Sequence, residues 1–314
     1  SAGLSMAVAF GATAMSSRTF MGVSGWRWAY VLVAAFSLLA GLLLHRIGQF
    51  GSPPSRAGQT TTWLQEQRRV LKSVGGKPTF YMMVAQGVTG GIPWNAFAFL
   101  TFYFQLSGYT DMQAGQIMLM GGVGGIFGAL LGGRLGDYLG SPTMFSTSGR
   151  CMVAQASVVL GIGFFLWMIH IPFGPSSFGV VIFAYLLFNV TACWTPAAAL
   201  RPMCGEIFRN PQDRAQILAL WIALEGVISS FCGAPLASAL AQAFGYRLGA
   251  GGQSIPQDPA ERAHNVVALR TALVGVSIIP WALCALAWCP MYYTYPRDKQ
   301  AAREEGGKPS DQRA

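Results

Sequence analysis

Charge is the scarcest commodity in this sequence. Asp, Glu, Lys and Arg make up only 11% of its 314 residues, where soluble domains carry about 25%. With 53% hydrophobic residues, nine Trp and twenty Phe, that deficit excludes an ordinary water-soluble domain and points to lipid as the solvent. Histidine is nearly absent as well: His45, His170 and His264 lie far apart. Cys151, Cys193, Cys204, Cys232, Cys284 and Cys289 are scattered through apolar runs with no metal-ligand spacing. They read as small buried hydrophobes, so neither a disulfide framework nor a metal site is expected. With no nucleotide loop and no nucleophile constellation, no cofactor and no enzyme activity is expected. The chain opens at Ser1 inside an apolar run, without the basic flank or cleavage site of a signal peptide. Further sequence upstream is expected.

Long apolar runs are abundant. A membrane helix needs about 20 predominantly apolar residues, and eight segments are candidates: Ala2–Ser16 (short), Trp28–Leu44, Thr79–Phe104, Met112–Gly133, Cys151–Ile171, Phe178–Leu200, Ala215–Phe244 and Val267–Tyr292. The formal net charge of +9 would suggest nucleic acid in a soluble protein, but here the basic residues sit in the connections between spans. Arg46, Arg56, Arg68, Arg69, Lys72, Lys77, Arg134, Arg150, Arg201, Arg209, Arg214 and the five basic residues after Pro296 fall on one side. Only Arg18, Arg27, Arg247, Arg262 and Arg270 fall on the other. Positive excess marks the cytoplasmic face, so the long loop and the C-terminus are expected in the cytoplasm of a multi-pass integral membrane protein. No nucleic-acid partner is expected; the lipid bilayer is the partner.

The stretch 48–78 reads as a linker: Pro53 and Pro54 mark coil, and Thr62–Val74 is patterned as an amphipathic helix lying on the membrane surface. Residues 296–314, polar and charged, read as a disordered tail. Tyr292, Tyr293 and Tyr295 fit an interfacial aromatic belt.

In the fourth span, Gly121/Gly125, Gly124/Gly128 and Gly128/Gly132 are spaced by four, a stripe along which a neighbouring helix can approach closely. The span runs into Gly133-Arg134-Leu135-Gly136-Asp137-Tyr138-Leu139-Gly140. This resembles the Gly-x-Leu-small-Asp-x-x-Gly loop of major facilitator superfamily transporters. Gly25-Trp26-Arg27-Trp28 resembles the entry to that family's sixth helix, and the basic linker resembles its central loop. The resemblance implies an all-α membrane fold with about eight helices in this chain: the last two helices of an N-terminal bundle over 1–47, the linker over 48–78, a six-helix C-terminal bundle over 79–295 and the tail over 296–314. The loop departs from the family pattern at Ser141 and Pro142, where basic residues are usual.

A carboxylate at a helix end, such as Asp137, can cap a facing helix N-terminus or pair with an arginine, with Arg134 a candidate partner. Together with Gly133 and Gly140, and with the mixed-sign cluster Arg201, Glu206, Arg209 and Arg214, it marks an expected cytoplasmic gate. Of twelve acids only Glu225 sits deep in an apolar span. It lies about 16 Å along a helix from Arg214, near mid-bilayer, where an ionised carboxylate costs several kcal/mol unless it faces a cavity, pairs or takes a proton. Gln86, Trp94, Asn95 and Asn189 are further pathway candidates. Gly90-Gly91-Ile92-Pro93 predicts a kink or unwound turn beside Asn95, of the kind that lines transporter sites. The expected function is secondary transport of a small solute, as symporter or antiporter, with proton coupling through Glu225. A membrane-embedded structural subunit without transport activity is the alternative.

Overall fold

The computed structural model describes residues 19–48, 63–172, 174–208, 210–249 and 255–307. A two-residue hairpin, β1 (Thr19–Phe20) against β2 (Val23–Ser24), leads into α1 (Gly25–Gly48). At that entry Arg27 donates to Ser24 Oγ at 2.9 Å and lies over the Trp26 ring, while Trp28 Nε1 donates to Phe20 O. α1 leaves most of its apolar side chains exposed, Leu32, Phe36 and Leu42 among them. The helices that follow are α2 (Trp63–Gly75), α3 (Pro78–Ala96), α4 (Leu100–Leu106), α5 (Asp111–Leu139), α6 (Thr147–Ile169), α7 (Phe178–Ala192), α8 (Arg201–Ile207), α9 (Pro211–Ala243), α10 (Pro259–Ala287) and α11 (Met291–Gly307).

Among the described residues six helical stretches are long and apolar enough to cross a membrane: Gly25–Ile47, Asp111–Leu139, Thr147–Ile169, Phe178–Ile207, Asp213–Ala243 and Pro259–Ala287. The first expected span, Ala2–Ser16, lies outside the described residues. The expected third span is helical from Pro78 to Leu106 but in three pieces, with a 3₁₀ turn at Phe97–Phe99. The break therefore falls one turn beyond Gly90–Asn95, through which α3 continues. Pro93 lacks an N–H, and Asn95 Nδ2 folds back onto Gly91 O at 3.0 Å to hold this stretch helical. A second break went unexpected: α7 ends at Ala192 and resumes as a π-helical turn at Pro196–Leu200 before α8.

Capping fixes the helix starts. Thr110 and Gln113 form a reciprocal capping box on α5, and Asp258 accepts from Ala260 and Glu261 N–H at the start of α10. α5 lies along α7, and α3 is flanked by α9 and α10. One core cluster gathers Phe97, Phe165, Phe188 and Trp281; a second gathers Met203, Ile207, Trp288, Met291 and Tyr295.

Two expectations need correction. α2 forms where the amphipathic pattern lies, but Val70 and Val74 are buried in the second cluster and Arg69 pairs with Asp213 at 2.7 Å. Its apolar stripe meets protein rather than lipid. The segment after Pro296, expected to be disordered, is helical to Gly307. Composition counts its charges as solvated, whereas Asp298, Lys299 and Glu305 each find a partner on the bundle. Tyr295 is likewise buried rather than interfacial.

Candidate functional site

Two arrangements of polar residues stand out, one in the middle of the bundle and one at the end that carries α8 and α11. The first is built on the contact between α3 and α9. A Cβ added at Gly87 would run into the Glu225 carboxylate, one at Gly91 would lie 2.9 Å from Ser229 Oγ, and one at Gly233 would lie 2.5 Å from Asn95 Cβ. The residues recur every four along each helix, so small residues on one helix face a polar or small residue on the other at three successive turns. Asn95 Nδ2 also donates to Ser229 Oγ at 3.0 Å, and Ser230 donates to Asn95 Oδ1 at 3.1 Å.

Beside this ladder lies a cavity of about 520 Å³. Gln86, Trp94, Asn189 and Glu225, four of the five residues picked from sequence, line it. Asn95 does not; it is a helix-packing residue. Trp281 and Cys284 of α10, Ser157 and Gly161 of α6 and Arg201 complete much of the wall. Trp94 stacks on Phe188 and meets Trp281 edge-on, and Phe97, Phe165 and Phe188 extend this aromatic floor. Nothing in the sequence spacing relates Trp281 to Trp94; only the packing of α10 on α3 does.

Three donors on the wall bond back to the backbone. Gln86 Nε2 donates to Met83 O, Ser157 Oγ to Thr191 O and Asn189 Nδ2 to Tyr185 O, each within 2.9 Å. Two acceptors differ: Glu225 Oε2 and Asn189 Oδ1 are buried without a hydrogen-bond partner. A buried polar atom left unpaired costs about 1–3 kcal/mol, more when charged, so both atoms are suited to meet a ligand or a proton.

The second arrangement centres on Arg150. Its guanidinium donates to Asp137 Oδ1 at 3.0 Å and to Ala198 O at 3.0 Å, and lies 3.7 Å from Glu206 Oε1. Pro202, four residues on, has no N–H to offer Ala198 O. Glu206 also takes contacts from Lys299 and from the Tyr295 hydroxyl. Burial, reinforced by this carboxylate, pushes the Tyr295 hydroxyl above its ordinary range. Asp298, almost fully buried, accepts from Thr79 N–H at 2.9 Å and caps α3, while Lys77 pairs with Glu305 at 3.1 Å.

The expected gate residues divide accordingly. Asp137 pairs with Arg150, and Arg134 is exposed. Glu206 pairs across the bundle with α6 and α11 rather than within its own turn. Arg214 donates to Phe208 O. Arg201 faces the cavity and Arg209 lies outside the described residues. Gly140 receives the Arg150 side chain, with a built Cβ 3.0 Å from its Cγ, whereas Gly133 has only Ala197 Cβ at 3.9 Å. Arg150 counts merely as loop charge in the sequence, and the helix-capping role lies with Asp298 rather than Asp137.

A sequence model of the Major Facilitator Superfamily matches residues 1–161, half of the chain. The chain belongs to that superfamily. Its structure is similar to two crystal structures of a bacterial homologue of the human lysosomal transporter Spinster, both inward-facing. The unoccupied form has a TM-score of 0.59 at 17% identity, covering 94% of this chain and 65% of that one. The occupied form has a TM-score of 0.59 at 16% identity, covering 95% and 66%. The chain thus spans just under two thirds of the length of these proteins, and at such identity the likeness is one of fold. No curated protein matches the chain.

Proposed function

We propose that this protein carries a small solute across a membrane by alternating access, with the cavity beside Glu225 as the solute site and the C-terminus in the cytoplasm. The observation that carries the reading is Glu225, set midway along an apolar helix on the wall of a cavity that also includes Arg201, with one carboxylate oxygen buried and unpartnered. A charge at that depth is costly and belongs to a solute or proton path. The Arg150–Glu206–Lys299 network closes the cytoplasmic end in this reading, and its ion pairs re-form or part as the bundle rocks. Glu225 gives up its proton on one side of the membrane and regains it on the other, which couples solute movement to a pH gradient. Family membership and the inward-facing Spinster homologues agree with the assignment.

The test is uptake by the full-length native polypeptide in proteoliposomes. A panel of labelled sugars, amino acids, nucleosides and organic cations is offered with and without a pH gradient. At least one solute is expected to accumulate in response to the gradient, and Glu225→Gln is expected to abolish that response while leaving exchange intact. Uptake indifferent to both gradient and substitution would refute proton coupling. No uptake of any solute by folded protein would refute transport.

A further inference from the structure

We infer that this chain carries a second ligand site, separate from the cavity beside Glu225, that takes an uncharged aromatic amphiphile from the water phase. The site is a cavity of about 660 Å³ at the end of the bundle away from α11. It lies between the 3₁₀ turn Phe97–Phe99 with α4, the last turns of α9, and α10. Its volume falls within the range of about 300–1,000 Å³ common to small-molecule sites. Among the described residues the two cavities share no wall residue, and the 3₁₀ turn separates them. Its tight winding puts residues two apart on different sides. Phe97 therefore joins Trp94 and Trp281 in the aromatic floor of the first cavity, while Phe99 lines the second.

The second cavity is roofed by a strap whose course is fixed by hydrogen bonds. α9 ends on Gly245, at φ +92°. Gly245 N–H donates to Gln242 O and Tyr246 N–H to Ala241 O, both at 2.9 Å. This is the Schellman pattern, which turns the residue after the glycine back over the last turn of the helix. Tyr246 and Ala241 accordingly both line the cavity. Asn265 of α10, fully buried, then accepts from Arg247 N–H at 2.9 Å and donates to Arg247 O at 2.6 Å. Alternate residues of an extended segment share a side. Pinning Arg247 thus leaves its own side chain exposed and places Tyr246 and Leu248 on the wall. There Tyr246 meets Phe102 of α4 edge-on at 6.3 Å.

The chemistry of this wall names the ligand. Among the described residues on it none is charged; Arg247 and Arg270, sequence neighbours of wall residues, do not belong to it. An ion there would lose its hydration with no counter-charge in return. Phe99, Phe102 and Tyr246 offer ring faces and edges to an aromatic body. Ser238 and Gln242 supply a hydroxyl and an amide one turn apart, joined by a bond of 3.4 Å. That is longer than the ordinary span of about 2.7–3.2 Å, so a ligand hydroxyl or amide can replace it. Gln242 and Leu248 are exposed and form the mouth, where the apolar stretch of α9 stops at Ala243. Entry is therefore from water rather than from among acyl chains.

The test is fluorine NMR on the full-length native chain in lipid nanodiscs, with para-fluorinated phenethyl alcohol, phenylacetate and phenethylammonium as probes. The three share a ring and differ in charge. The alcohol is expected to bind saturably, and both ions at least about tenfold more weakly. Ala241→Phe fills the cavity and is expected to abolish binding, whereas Glu225→Gln is expected to leave it unchanged. Ser238→Asp is expected to reverse the order in favour of phenethylammonium, a gain that a misfolded variant cannot show. No saturable binding of the alcohol, equal binding of all three probes, or binding that falls in Glu225→Gln but survives Ala241→Phe would overturn the inference. Binding in detergent that disappears in nanodiscs would also overturn it, by showing that an acyl chain holds the cavity.

Discussion

The glycines of α5 allow one substitution to be tested at two positions with opposite outcomes. A Cβ built on Gly128 falls 2.5 Å from Val190 O and 2.8 Å from Asn189 O. Both are backbone atoms of α7 or its continuation and cannot rotate aside. A relaxed carbon–oxygen contact is about 3.3–3.6 Å, so Gly128→Ala must push α7 away by close to 1 Å. Overpacking of that kind costs about 1–3 kcal/mol. The displacement also opens the neighbouring contacts, because Gly124 and Gly136 lie just as close to that helix and its continuation, a Cβ built on them falling 2.6 Å from Leu186 O and 2.5 Å from Ala198 O. Removing a helical glycine returns about 0.5–1 kcal/mol, which leaves a net loss of about 2 kcal/mol. At Gly133 the nearest atom to a built Cβ is Ala197 Cβ at 3.9 Å, an ordinary contact, so Gly133→Ala keeps the propensity gain and should stabilise by about 0.5 kcal/mol. Equilibrium unfolding of the purified protein in mixed micelles, titrated with a denaturing detergent, reads the difference. Equal shifts of the two midpoints in one direction would show that helix propensity, rather than approach to α7, governs this stripe.

Other outcomes follow from the charge network. Arg150→Met should cost about 2–3 kcal/mol, because it strips Ala198 O of a side-chain donor and Glu206 of one cation. Asp137→Asn should cost less than about 1 kcal/mol, since the Asp137 side chain is 74% exposed; the same unfolding titration ranks the pair, and the reverse order would refute Arg150 as the hub. Asp298→Ala removes the cap from α3 and should cost about 1–2 kcal/mol, with amide exchange accelerated at Thr79 and its neighbours; unchanged exchange there would show that the cap is idle.

Much of this was legible from sequence because a few residue types are so costly in lipid that their position says what they face. Glu225, Gln86 and Asn189 could be picked as pathway candidates from depth alone, and all line the cavity. Apolar length located the spans from Met112 onward, but the helices overrun the apolar stretches, to Leu139 rather than Gly133 and from Pro259 rather than Val267, because charged residues extend a helix beyond its apolar part. Pairing was not legible. Asp137 has Arg134 three residues away in sequence, yet it pairs with Arg150, because the turn after Gly140 folds α6 back against the end of α5. Asn95 looked like a cavity residue, but which face of α3 it occupies depends on where α9 packs, and Gly233 and Ser229 take it. The helical tail was hidden for a similar reason. Its charges look solvated until Lys299 meets Glu206 across more than ninety residues of chain.

The two arrangements are not independent, and α3 is the element they share. Its first turn is capped by Asp298 and held by the Lys77–Glu305 pair. One to two turns later Met83 and Gln86 enter the core and the cavity wall, and Gly87 lies against Glu225. That contact permits no tilt of α3 toward α9, because the glycine has no side chain left to give up. The tilts available to α3 are therefore away from α9, and α11 restrains them through its hold on the first turn. Opening space around Glu225 and loosening the grip of α11 are thus a single movement seen at two heights of the same helix. The Glu206 cluster bears on it through Lys299, the neighbour of Asp298. The ion pairs that appear remote from the cavity consequently set part of the energy needed to widen it, although none of their side chains touches it.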